Sequence, residues 1–180
     1  RGMRASVSGT YDCAGIEVAD GSLLGNPGDY DREPRFTAGA WRFCAVQLGG
    51  IEALIEEMAL RMPSKARADT VLRQRFAKAY ITARSARFWV EEAARKAACE
   101  ATDAITVSRI ARGVVEDAGL LAIETAARVL GTRSAFDGER ADKLARDLSL
   151  YLRQAGPDHA RDEAAKEILA SQFGQLGDIP

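Results

Sequence analysis

One histidine, His159, stands among 180 residues. A multi-histidine metal centre or a catalytic histidine pair therefore cannot be assembled from a single chain. Cysteine is nearly as scarce: Cys13, Cys44 and Cys99 are odd in number, far apart and free of CxxC spacing. That pattern excludes a disulfide framework and a structural zinc site, and predicts reduced, mostly buried thiols. An excess of charge of either sign is also missing, since 25 Lys and Arg face 26 Asp and Glu for a formal net charge of -1. No global field draws nucleic acid or an anionic membrane, so neither is an expected partner. Nor does any apolar run approach the roughly 18 residues of a membrane span, and the N-terminus lacks the charged, apolar and small order of a secretory signal. The expectation is a cytoplasmic globule, long enough to bury a core without cross-links, made of one domain or of one domain plus the remnant of another.

What the chain does have is helix periodicity. From Glu33 to Arg61, residues Phe36, Ala40, Phe43, Cys44, Val46, Leu48, Ile51, Leu54, Ile55 and Met58 recur at spacings of three and four, one broad apolar face on a single long helix. Pro34 suits its first turn and Pro63 its end. Gly39, Gly49 and Gly50 weaken helix propensity by roughly 1 kcal/mol each relative to Ala, which predicts close approach of another backbone or a ligand. A second helix is predicted from about Ala66 to Glu100, with Val71, Leu72, Phe76, Tyr80, Ile81, Phe88, Trp89 and Val90 as its stripe. Lys65, Arg67, Arg73, Arg75 and Lys78 near its start are either a solvated basic face or an anion site. A third helix follows from Thr102 or Asp103 to Leu130, stopped by Gly131. A fourth runs from Glu139 to Gln154, and a short fifth from about His159 to Gln172.

The first residues differ in character. Alternation at Ala5 and Val7 and at Ile16 and Val18, with Gly9, Gly15 and Asp20-Gly21, predicts two short strands and their turns. An isolated hairpin is marginal in water, so these strands imply a larger sheet upstream of Arg1. The predicted architecture is mainly α: an antiparallel four-helix bundle over 31–180, preceded by a β remnant and linker over 1–30.

The order of these features, a segment GMRASVSGTYDCAGIEV, an LLG turn, AGAWRFCAVQLGGIEAL, then AARVLG and ARDLSLYL, resembles the C-terminal half of an acyl-CoA dehydrogenase. The resemblance implies FAD as cofactor, an acyl-CoA-type substrate, an electron-transfer partner and a homodimer or homotetramer built through the bundle. It also implies that residues 1–30 are the end of a middle β domain. In that family a carboxylate removes the proton alpha to a thioester while the flavin accepts the beta hydride. Matching Arg146-Asp147 and Gly156 to the family pattern puts the usual glutamate at Ala155, and the alternative position in the first bundle helix at about Gly39. Neither is a carboxylate. Glu33 and Asp158 lie close to these positions in sequence, and His159 is near Ala155, as in flavin monooxygenases of the same fold. For the flavin, the resemblance assigns Arg61 to a neighbouring subunit's pyrophosphate, matches Gln74 to a glutamine of the second helix, and assigns Arg128 with Gly131 to the adenine end. Trp41, Phe43 and Tyr80 are expected to divide between core and pocket. Without any cofactor, the same apolar stripes also suit a non-enzymatic interaction or oligomerisation domain.

Overall fold

The computed structural model describes residues 2–154 and 156–171 and is mainly helical. Short helix α1 (Arg35–Ala38) leads into α2 (Trp41–Arg61), and α3 (Ser64–Ala68) into α4 (Thr70–Ala98). Then come α5 (Ala104–Leu130), α6 (Arg140–Tyr151) and α7 (Pro157–Ala170). Helices α2, α4 and α5 pack on one another, α6 lies on α2, and α7 lies along α5.

The single helix expected over Glu33 to Arg61 is interrupted at Gly39 and Ala40. Both keep right-handed helical angles, but the amides of Ala40 and Arg42 bond carbonyls three residues back, those of Thr37 and Gly39. The chain thus tightens there before resuming as α2. A Cβ on Gly39 would lie 2.7 Å from the Arg35 carbonyl oxygen, so this turn depends on glycine. The second expected helix also divides, because Asp69 leaves the helical region and its carboxylate accepts from the Leu72 amide at 3.0 Å. Asp69 is thereby the N-cap of α4. The third ends as expected, with Gly131 at φ 63°.

No strand forms among the described residues. The expected strands of the first thirty residues are replaced by 3-10 turns at Arg4–Ser6 and Asp20–Ser22 within an exposed segment, where Leu24 is 96% accessible. Alternation alone cannot hold a strand whose ladder partner is absent, and local turns take the amides instead. The segment is tethered near its start, where the Met3 amide donates to Asp147 of α6 at 2.5 Å.

The core is set by size as much as by polarity. From α2 it takes Leu48, Ile51, Leu54, Ile55 and Met58, but what α4 and α5 add to the same cluster is rich in alanine, Ala79, Ala83 and Ala86 with Val90 from α4, and Ala118, Ala122 and Ala126 with Val115, Val129 and Leu130 from α5. Small residues let helix axes approach to the lower part of the usual 8–10 Å range. Consequently much of the predicted stripe of α4 lies outside: Tyr80, Ile81 and Phe88 are 50, 62 and 63% exposed. Of the α2 glycines, Gly50 meets Leu148, with a Cβ there 3.0 Å from its methyl carbon, whereas Gly49 faces open space.

Candidate functional site

Ser108 and Arg112 stand one turn apart on α5, in phase with its buried alanines, and are 0 and 1% exposed. The last carbonyls of a helix have no partner within it. Arg112 supplies one: its Nη2 donates to the carbonyls of Leu152 and, at 2.7 Å, Gln154, and its Nε to Gln154 at 3.2 Å. The guanidinium therefore fastens the chain leaving α6 to the middle of the bundle. Among the described residues its remaining nitrogen, Nη1, has no hydrogen-bond partner, and neither does the Ser108 hydroxyl. Buried polar atoms are rarely left so, and each such atom calls for an explanation.

Both residues line a cavity of about 770 Å³ between the α1–α2 junction, α5 and the start of α7. Phe36, Ala40, Phe43 and Tyr30 give it an apolar wall, and Arg35, Arg42, Arg109 and His159 complete its polar side. None of the described residues lining it is acidic. Arg35 pairs with Glu100 at 2.9 Å and Arg109 with Glu167 at 2.5 Å, while Arg42 lies over the Trp41 ring and donates to the Gly39 carbonyl at 3.4 Å.

Arg112 itself lacks a dedicated counter-charge. Burial pushes its guanidinium below the usual arginine range, with Cys44 and Glu116 acting in the opposite direction. Burial holds the Cys44 thiol protonated by pushing it up to about 11. Glu116 is shared with Arg161 at 2.6 Å and Arg153 at 3.5 Å. A charge in this position is costly unless something pairs with it.

Of the residues singled out by sequence, Gly39, Phe43 and His159 border this cavity. Ala155 lies outside the described residues, between Gln154, whose carbonyl Arg112 holds, and Gly156. Glu33 is occupied locally, accepting from the Thr37 amide at 3.1 Å and from its hydroxyl. Asp158 is exposed and lies 3.5 Å from Arg161. Trp41 packs on the small cluster of Ala93, Val107 and Ala111 instead of entering the cavity. In the basic run, Arg67 donates to the Met62 carbonyl at 2.9 Å and to that of Ala59, and Arg73 to that of Arg67 at 2.8 Å. These two close helix ends, as carbonyl caps do.

Arg61, Gln74, Arg128 and Gly131 are apart from the cavity. Arg61 pairs with Glu57 at 3.4 Å, and Glu57 is also 3.9 Å from Arg140 at the start of α6. Arg128 pairs with Glu124 at 2.7 Å, and Gln74 is exposed. A pyrophosphate there would find the right charge but would compete with carboxylates already in place. None of the four lines the cavity.

Ser108 and Arg112 escaped the sequence reading because the large residues of α5, from Ile105 to Ile123, point to a different phase. The usable signal was a serine, an arginine and Glu116 recurring every four residues in step with Ala104 and Val115. Three thiols are free, Cys44 buried and Cys13 and Cys99 exposed, where mostly buried thiols were expected. No helix among the described residues is long and apolar enough to cross a membrane. No protein-family model, curated protein or solved structure matches the chain.

Proposed function

We propose that the chain is the C-terminal part of an FAD-dependent, acyl-CoA-dehydrogenase-like oxidoreductase, an antiparallel four-helix bundle whose cavity receives the reacting end of an acyl thioester. One observation carries this reading. Gly39, one of the two positions where the resemblance puts a catalytic carboxylate, and His159, four residues beyond the other, are far apart in sequence yet border one cavity. The cavity has an apolar wall for a chain and buried donors for a polar head, the usual composition of a small-molecule site.

The base itself is missing from this arrangement. At Gly39 the tight turn leaves no room for a side chain, and position comes before pKa in choosing a base. FAD, when bound, supplies the hydride acceptor. Arg61 would meet the flavin of a neighbouring subunit, and Gln74, Arg128 and Gly131 are the further residues that the resemblance gives to the cofactor. The test uses the full-length protein, read first by flavin absorbance. Acyl-CoA oxidation with an artificial acceptor is then measured before and after Ala155→Glu. Bound flavin, with activity appearing or rising in the substituted protein, supports the reading; a folded protein that takes up no FAD overturns it.

The exposed face of α4 favours a second reading, a helical oligomerisation domain. Tyr80, Ile81 and Phe88 share that face, with the Arg84 guanidinium 5.9 Å from the Phe88 ring centre. Large exposed apolar side chains gathered on one face are characteristic of contact surfaces. Light scattering of the protein and of its Ile81→Glu, Phe88→Glu variant decides it. A mass that falls by an integral factor in the variant supports assembly through α4, and a monomer in both rejects it.

A further inference from the structure

The two unpartnered donors at the floor of the cavity define what it binds. Ser108 Oγ and Arg112 Nη1 belong to side chains at least 99% buried, one helical turn apart, and neither meets an acceptor among the described residues. Arg112 cannot swing away to find one, because its other two nitrogens are committed to the carbonyls of Leu152 and Gln154. Among the described residues its charge has no dedicated counter-ion, and none of those lining the cavity is acidic. A neutral ligand would leave that charge unmatched. A monoanion accepting from both donors would satisfy charge and hydrogen bonds together, and charge-assisted bonds of this kind are about twice as strong as neutral ones. Phe36, Ala40 and Phe43 offer an apolar wall to the remainder of the ligand.

We propose that this cavity is a binding site for a carboxylate attached to a short apolar group, its two oxygens received by Arg112 Nη1 and Ser108 Oγ. Two neighbouring donor groups match the two oxygens of a carboxylate. A phosphate would leave its further oxygens to the outer arginines, of which Arg35 and Arg109 are already paired with Glu100 and Glu167, and Arg42 lies over the Trp41 ring with its Nη1 donating to the Gly39 carbonyl at 3.4 Å. The inference uses the same cavity as the oxidoreductase reading and would make the preferred acyl group of that reading one that carries a free carboxylate. It does not require flavin, so the two can fail separately.

Isothermal titration of the full-length protein, free of added flavin, compares hexanoate, hexanamide and inorganic phosphate. Saturable hexanoate binding is expected, with hexanamide at least about tenfold weaker and phosphate weaker than hexanoate, as loss of a charge-assisted bond implies. Ser108→Ala, which removes one hydroxyl from a helix that favours alanine, should weaken hexanoate several-fold while leaving the unfolding midpoint within error. Arg112→Lys keeps the charge but not the fork, and should weaken it further. Equal affinity for acid and amide, phosphate binding tighter than hexanoate, no hexanoate binding by the folded protein, or an unchanged affinity in a folded Ser108→Ala protein would each overturn the proposal. Hexanoate binding in a protein that takes up no FAD would sustain it while rejecting the oxidoreductase reading.

Discussion

Replacing Arg112 by Met sets two large effects against each other. The methionine keeps most of the apolar stem, so packing changes little. Lost are the donors to Leu152 and Gln154. Gln154 is exposed and its carbonyl regains water, but Leu152 is fully buried, and stranding a buried carbonyl costs about 1–3 kcal/mol. Against this, removing a buried guanidinium recovers part of its desolvation, the effect that makes some buried charges replaceable without loss. Because three hydrogen bonds end on two carbonyls and only one of these is dry, the net loss should be about 1–2 kcal/mol. For a chain of this size that corresponds to a fall in Tm of roughly 2–8 °C. Urea unfolding followed by circular dichroism measures it, and amide exchange should show α7 loosened ahead of α4 and α5, since the chain entering α7 loses its fastening. An unchanged or raised midpoint would refute the reasoning, showing that the cost of burying the charge exceeds the value of its bonds.

Paired glycine substitutions test the helix contacts. Gly49→Ala meets nothing within 4 Å and should gain about 0.5–1 kcal/mol, while Gly119→Ala puts a Cβ 2.5 Å from a Leu152 methyl carbon and should lose about 1 kcal/mol despite its better propensity; urea midpoints that shift the same way for both would contradict this. Thiol labelling of the folded protein at pH 8 should modify the exposed Cys13 and Cys99 quickly and Cys44 only on unfolding, because burial keeps that thiol protonated up to about pH 11; three fast thiols would count against the fold. Asp147 is held below its ordinary value of 3.8 first by the Lys143 hydrogen bond and also by the Met3 amide. A depressed carboxylate contributes stability that is complete above its unfolded value and is lost as pH falls through the folded one. Asp147→Asn should therefore be less stable than the parent at pH 7, by a few tenths to about 1 kcal/mol, and no less stable near pH 2, read by urea midpoints at both.

The sequence made the helices legible because their apolar spacing is regular, and made their ends legible where one residue decides the matter, as Gly131 does for α5 and Pro63 after α2. It failed where a short-range bond overrides periodicity. Asp69 caps α4 inside a run that reads as continuous helix, and two i to i+3 bonds interrupt the first helix at Gly39. It failed again where bulk was taken for burial, because α4 turns its alanines inward and its Tyr80, Ile81 and Phe88 outward. The site was half legible. Gly39 and His159 were singled out from sequence, but the donors between them come from an arginine and a serine whose burial only the packed helices reveal.

The alanine seam between α4 and α5 constrains how this protein can change over time. A leucine in the α2 face can be exchanged for methionine or isoleucine with modest repacking. Ala83, Ala86, Ala118 or Ala122 offers no such neighbour in chemical space, since every larger side chain separates the helices and glycine loosens both. Drift along the seam would have to be concerted, a gain of volume on one helix matched by a loss on the other. The faces of α2 and the outer surface of α4 are free to diverge one residue at a time, so the slowest-changing part of the chain should be its plainest residues.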